Sequence, residues 1–426
     1  MHSARVGSGD CVHTIDRRTR SDRDGRALRI DEFFESVAPA LLERNGDLAV
    51  AGLAALGGPS LAVSVGEESW TLGAHGGALA VRPGVGDASM HLRMDAEQFS
   101  AFAHGQLTLN AMWVGGTLDR TGGRHRDVGT WDAVWLAVLE GWPVISDDVS
   151  FVDRHGAPMN LDRSFGPSDT GEDVAHFLRE AGFVHLTGWI DRAVIDEIAA
   201  DVDAAGATYE RGDGRSWWAR TADGTDRCVR LQHFVEVSAA TRALLQSRTW
   251  DAVRTTLAAS DDVVQLPVEG NCIEALVKPI GVVEGISDVP WHRDCNFGRH
   301  AYQCCRMTVG ISLTDSDTTS GLLRVVAGSH RIGMPAGVAA HDPYLPVIDL
   351  PTSKGDLTVH LSCTLHEAQP PTERERKVMY TNFELAPRPG IDDSDDAAHI
   401  SAIRERVHLE ISQQPTTGHA KEGVRS

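Results

Sequence analysis

Apolar positions along this chain follow two periods, and the change between them marks where helices give way to strands. From Asp31 to Arg44 the spacing is helical. Short alternating runs come next, Leu61-Ala-Val-Ser-Val65 and Ala78-Leu-Ala-Val81, before helix-like segments return. This predicts a compact α+β unit over residues 31–145, in which Trp131 to Leu139 forms a core-facing helix. Residues 146–170, rich in Asp, Gly, Pro and Ser and weakly periodic, are expected to be a linker. Periodicity resumes with a helix from Glu172 to Gly182, a strand at Phe183-Val-His-Leu186, and a helix from Asp191 to Ala205 with Val194, Ile195, Ile198 and Val202 on one face. Strands then dominate: Cys272 to Val277, Met307 to Leu313, Gly321 to Val326, Leu357 to Leu361 and Val378 to Phe383 are short, β-branched or aromatic, and bounded by Gly, Pro and Asp. They predict a double-sheet jelly roll with flanking helices over residues 171–390. Residues 1–30 are expected to be a flexible tail. Residues 391–426 carry an acidic run (Asp392 to Asp396) and a helix from Ala397 to Ile411.

A length of 426 residues favours two cores over one. The apolar share of 42% and charged share of 23% are those of a globular protein, and no stretch approaches the roughly 18 uninterrupted apolar residues of a membrane span. A formal net charge of −20 argues against nucleic acid or anionic membrane as a general partner, because phosphate-rich surfaces reward clustered Lys and Arg. The seven cysteines are odd in number and scattered without a CxxC pair, so they read as reduced thiols and predict a cytoplasmic location. Cys295, Cys304 and Cys305 have no neighbouring base that would mark a nucleophile, and residues 1–29 contain no apolar core of a secretory signal.

The chemistry is concentrated in Val289-Pro-Trp-His-Arg-Asp-Cys295. On a strand, His292 and Asp294 at i and i+2 share a face, which places one imidazole and one carboxylate side by side. A second histidine from a distant strand would complete a facial triad with open positions for a bidentate 2-oxo acid and O2 on Fe(II). His300, His330, His360 and His366 all lie downstream and remain open on residue grounds alone. His360 reads as a satisfied core histidine or as an inward-facing one.

The stretch from about Ala175 to Phe383 resembles the phytanoyl-CoA dioxygenase family of iron and 2-oxoglutarate oxygenases. Its entry is Phe177-Leu-Arg-Glu-Ala-Gly-Phe-Val-His-Leu186. Lys278-Pro279, Trp291-His-Arg-Asp294, Ser320-Gly321, Ala327-Gly-Ser-His330, Gly355-Asp356, His366 and Arg376 come after it in the family's order. The resemblance implies a double-stranded β-helix (cupin-like) fold, with His292, Asp294 and His366 as catalytic metal ligands. It makes Arg376 the anchor of the far carboxylate of 2-oxoglutarate, a task suited to a planar guanidinium. Arg374 is the rival, because the loop Glu367 to Glu375 is somewhat shorter than is usual. Many relatives carry a serine two positions after the distal histidine, where this chain has Ala368, so Lys278 is a second candidate for the cosubstrate. Trp291, Asn296, Trp217 and Trp218 are candidates for the substrate side or for packing. His330 is taken as structural. The implied reaction consumes Fe(II)-bound 2-oxoglutarate and O2, releases succinate and CO2, and hydroxylates or otherwise oxidises an unactivated C–H bond; relatives that halogenate lack the carboxylate found here as Asp294.

Met90-His-Leu-Arg-Met-Asp95, Gln98-Phe99 to Gly105-Gln-Leu107 and Gly115-Gly-Thr-Leu118 resemble the sterol-carrier-protein type of lipid-binding domain. This likeness implies an apolar tunnel that Trp70, Phe99, Phe102, Met112 and Trp113 would line, unless they fill a core and the domain only docks. The substrate is therefore expected to be a small, lipid-like, carrier-borne or secondary metabolite, and a homodimer is an open expectation. The competing functions are a lipid-binding or transfer protein with a silent barrel, and a cupin-like metalloenzyme without 2-oxoglutarate.

Overall fold

The computed structural model describes residues 27–385 apart from 106, 147, 259–262, 286–288, 296–305 and 340–343. Asn296, His300, Cys304, Cys305, the acidic run and the helix expected from Ala397 to Ile411 lie outside the described residues.

The first helix is longer than its sequence suggests. It runs from Ile30 through a π turn at Phe33–Val37 into Ala38–Ala55, passing the stop-like Asn45-Gly-Asp47. Tertiary contact overrides the local signal: Asn45 Nδ2 donates to the Val138 carbonyl at 2.9 Å. A Cβ at Gly52 would stand 2.4 Å from Val144, so only glycine lets the helix approach this closely. Five strands, β1 (Leu61–Val65), β2 (Glu68–His75), β3 (Ala78–Pro83), β4 (Met90–Arg93) and β5 (Asp119–Gly122), form a sheet in the order β3-β2-β1-β4-β5, with only β1 and β4 parallel. Phe33, Phe34, Phe99, Phe102, Met112 and Trp135 are buried in one cluster with it. Phe102 stacks on Trp135 at a centroid distance of 4.5 Å, and Trp70 stacks on Phe34 at 5.3 Å.

The expected linker is partly laid down on the strands and helices C-terminal to it. Val149 and Phe151 press on Gly328, and Phe165 pairs in parallel with the strand at Phe183–Leu186 and is buried. The helices Gly171–Ala181 and Arg192–Ala205 sit where expected, capped by Thr170 and Asp191, and Gly182 closes the first in the left-handed conformation at φ 83°.

The remaining strands, in chain order, are β6 (Ser164–Phe165), β7 (Phe183–Leu186), β8 (Ser216–Thr221), β9 (Asp226–Leu231), β10 (Val263–Gln265), β11 (Ile273–Lys278), β12 (Val282–Glu284), β13 (Val289–His292), β14 (Met307–Ser312), β15 (Leu323–Val326), β16 (Val347–Leu350), β17 (Leu357–Leu361), β18 (His366–Ala368) and β19 (Arg376–Leu385). They make a large sheet, β12-β8-β9-β11-β19-β14-β17-β7-β6 with β10 also on β19, and a small sheet, β13-β18-β15-β16. One face of the large sheet is covered by helices: Phe383 packs on Trp250 and Thr241 reaches Met379. The alternate residues, Thr308, His360, Tyr380 and Asn382, point the other way, and His360 meets His366 of the small sheet with ring centroids 4.0 Å apart. This is the two-sheet arrangement expected of a jelly roll with helices on one side. Among the described residues no helix is long and apolar enough to cross a membrane.

Asp132, on the helix His125–Glu140, accepts from the backbone N–H groups of Leu109 and Asn110, and burial pushes its carboxyl up to about 7 against these two bonds. In the unfolded chain it titrates near its ordinary value of 3.8. Between these two values the folded protein holds a proton the unfolded chain has released, so this group's contribution to stability falls as pH rises through the window and levels off above it. Replacement by Asn removes that component. Between pH 5 and pH 8 the wild type is expected to lose more thermal stability than Asp132→Asn, by on the order of a few °C in Tm, measured by circular dichroism.

Candidate metal centre

His292 is the last residue of β13 and stands directly opposite His366, the first residue of β18. The plain strand geometry inferred from sequence stops there: the register shifts within β13, and Asp294 lies in the turn just beyond it. What brings Asp294 back beside His292 is the residue between them. Arg293 is buried and its guanidinium donates to the carbonyls of Cys363, Ser329, Ile332 and Met334. A planar fork with five donors fits such a cage of acceptors.

The result is a group of His292, Asp294 and His366 that could hold a metal ion, with one donor atom from each lying within 4.8 Å of the others. Asp294 Oδ1 is 3.5 Å from His292 Nε2 and 3.6 Å from His366 Nε2. Donors each about 2 Å from a common ion would be spaced roughly 3–4 Å apart, so the group needs little movement to close on one. The tautomers suit this. His292 Nδ1 is 2.8 Å from the Pro290 carbonyl and His366 Nδ1 is 2.9 Å from that of Thr364; donation to these oxygens puts each proton on Nδ1 and frees Nε2 as a ligand.

The charge states also fit. Burial would raise the Asp294 carboxyl, but the surrounding imidazoles of His366, His292 and His360 outweigh it and hold the group well below the usual carboxylate range. Burial, with His360 and His292 alongside, pushes His366 well below the ordinary histidine value. A metal binds through an ionised carboxylate and a neutral imidazole, and both shifts run toward those forms.

Arg376 opens β19 directly across from Lys278 on β11, and both side chains are buried. Arg376 donates to the Gly321 carbonyl at 2.8 Å and Lys278 to that of Gln369 at 2.6 Å. Among the described residues no carboxylate pairs with Arg376. Its rival Arg374 is half exposed and ion-paired with Asp317.

The tryptophans separate. Trp291 packs against the cluster of Val326, Ile332, Met334 and Leu365, beneath the Arg324 guanidinium, and is not brought to His292. Trp217 lies under Arg230 at 4.4 Å, and Arg230 pairs with Glu274. Trp218 packs against the helix-side core. His330 is buried and bonds the Arg179 carbonyl, in keeping with a structural role.

Two residues of the site, Arg293 and Thr308, are not singled out for it by the sequence, and a third, His360, is named there only as a rival ligand and an inward-facing alternative to a core histidine. Arg293 was passed over between the two ligands. Thr308, an alternate residue of a strand otherwise read for its apolar positions, donates its hydroxyl to Asp294 Oδ2 at 2.6 Å. His360, weighed as a core histidine, faces the same oxygen at 3.4 Å.

Residues 178–378, just under half of the chain, match the family described as Phytanoyl-CoA dioxygenase (PhyH). No curated protein matches the chain. Among solved structures, it is similar to the non-haem alpha-ketoglutarate-dependent epimerase SnoN from nogalamycin biosynthesis, with 23% identity over 52% of this chain and 84% of that one at a TM-score of 0.40. It is likewise similar to the carbocyclase SnoK of the same biosynthesis (19%, 55% and 93%, 0.41) and to EctD from S. alaskensis crystallised with 2-oxoglutarate and 5-hydroxyectoine (15%, 57% and 86%, 0.40). Residues 178–378 thus match a family of non-haem iron, 2-oxoglutarate-dependent oxygenases, whose members use Fe(II), 2-oxoglutarate and O2.

If Arg293 secures the turn, Arg293→Lys is expected to destabilise the protein by about 2–4 kcal/mol, because one ammonium cannot serve all four buried carbonyls. Urea denaturation checks this, and a loss under about 0.5 kcal/mol, the scale of an ordinary surface change, would refute the anchoring role.

Proposed function

We propose that His292, Asp294 and His366 hold Fe(II), that Arg376 with Lys278 beside it takes the far carboxylate of 2-oxoglutarate, and that the enzyme hydroxylates an unactivated C–H bond of a small metabolite, releasing succinate and CO2. The observation that carries this reading is the pairing of two freed Nε2 atoms and an ionised carboxylate with a buried arginine that lacks a carboxylate partner among the described residues. Iron held there would supply the O2 chemistry for which no amino-acid side chain suffices. The chain's own part is to hold and orient. The backbone carbonyls fix both imidazoles, Thr308 fixes the carboxylate, and the buried guanidinium offers a bidentate fork to an anion.

For the substrate side, Trp217 with the Arg230–Glu274 pair supplies an aromatic and ionic wall on the inner face of the large sheet, and Tyr380 stands across from Glu274. This supports a substrate with polar groups beside an apolar body. In the N-terminal unit, Phe99, Phe102 and Met112 interlock with Phe33, Phe34 and Trp135, which supports docking over lipid capture. A lipid carrier with a silent barrel is disfavoured by the intact ligand set.

Anaerobic addition of Fe(II) and then 2-oxoglutarate to the full chain is expected to give the weak visible charge-transfer band of the chelate. His366→Ala should abolish it. Arg376→Gln should weaken 2-oxoglutarate binding by about 10–100-fold, a loss of about 1.4–2.8 kcal/mol, whereas Arg374→Gln should leave it nearly unchanged. The reverse order would transfer the anchor to Arg374, and no band in the wild type would sink the proposal. A fluorescent fatty acid added to the full chain should show no saturable, displaceable binding; saturation would restore lipid capture.

A further inference from the structure

Asp294 divides its two oxygens between different neighbours. Oδ1 faces the Nε2 atoms of His292 and His366 at 3.5 and 3.6 Å. Oδ2 receives the Thr308 hydroxyl at 2.6 Å and has His360 Nε2 at 3.4 Å. The strand register explains why these two meet it together. Thr308 is the direct partner of His360 across β14 and β17, and of Asn382 across β14 and β19, so the three residues form one rung on the inner face of the large sheet. Thr308 Oγ1 also lies 3.2 Å from Asn382 Oδ1.

His360 is 1% exposed. Neither of its ring nitrogens makes a hydrogen bond among the described residues, and Nε2 stands 3.4 Å from Asp294 Oδ2, within reach of one after a small movement. A buried polar group left in this state is destabilising, a cost that an apolar ring of similar size would avoid. Packing alone is therefore a poor account of a histidine here, while a donor aimed at a carboxylate is a good one.

We propose that His360 is a positioning residue of the metal centre: its Nε2–H, with the Thr308 hydroxyl, holds Asp294 Oδ2 back so that Oδ1 alone is presented to the metal. The proposal rests on reading His292, Asp294 and His366 as the ligands. Its consequence is coordinative. A carboxylate free to swing could bind through both oxygens and occupy a position that a bidentate 2-oxo acid or O2 needs; one pinned by two donors binds through one. Removal of such an outer partner typically costs 10–100-fold in metal affinity.

The test uses the full chain and Co(II), titrated by visible absorption. His360→Met removes the donor and His360→Gln, of similar shape, keeps an N–H. The expected result is a loss of about tenfold or more in Co(II) affinity for His360→Met and a return to near the wild-type value for His360→Gln. Equal affinity in all three proteins overturns the proposal and leaves the ligand set intact. Failure of the wild type to bind Co(II) overturns both readings. Should His360→Met not fold, His360→Phe, closer to the imidazole in shape, replaces it. Pulsed electron paramagnetic resonance on the vanadyl-loaded wild type counts bound imidazoles independently of any variant. Two support a positioning residue, whereas three make His360 a ligand and refute it.

Discussion

The arginine inside the ligand motif is the constraint on which the rest of the site depends. His292 closes a strand, and a chain leaving a strand end has no reason to return a carboxylate to within 3.5 Å of the last imidazole. Arg293 supplies that reason by turning inward against four carbonyls. Those carbonyls come from two separate segments, Ser329 to Met334 and Cys363, and the second leads directly to His366. One buried cation therefore fixes both the turn that carries Asp294 and the approach to the distal histidine. Its charge is balanced by oriented dipoles, which leaves the Asp294 carboxylate to face the imidazoles instead of an ion-pair partner at its own base.

Much of this was legible in the sequence, and the limits have physical causes. The order and spacing of His292, Asp294, His366 and Arg376 survive because strands impose direction and reach on whatever they carry. Burial distinguishes Arg376 from Arg374: the latter has an exposed acidic neighbour in Asp317, and no linear rule foretells that a chain segment turns outward. The pairing of Thr308 with His360 is hidden for a different reason. They are opposite one another only through the register of β14 on β17, some fifty residues apart in sequence, and register is set by the folded sheet. The period-two argument brings His292 and Asp294 together through an incomplete cause, since the turn and Arg293 complete what the strand begins.

The N-terminal unit shows the opposite balance. Its strands and the helix at His125–Glu140 arise from pattern, but the run of Ala38–Ala55 through Asn45 and Gly46 depends on contacts nearly a hundred residues away. Composition likewise could not distinguish a tunnel from a core, because the same aromatic residues serve either. The stacked geometry of Phe102 on Trp135 and Phe34 on Trp70 favours the core. Residues 146–170 look like a spacer because their contacts come from scattered apolar residues, Val149, Phe151 and Phe165, too few to make a period.

The inner face of the large sheet then reads as an electrostatic arrangement. Lys278 and Arg376 are direct neighbours on adjacent strands, two buried cations that disfavour one another and that ordinary packing would replace with apolar residues. Carbonyls of Gln369 and Gly321 offset part of that cost with partial charges. A dicarboxylate bound between this pair and a metal at Asp294, as proposed above, would balance positive charge at both of its ends. On the same face Gly310 meets occupied space: a Cβ there would come within 2.7 Å of the Thr358 hydroxyl and 2.9 Å of the Tyr380 ring, so only glycine lets those two side chains close over the strand.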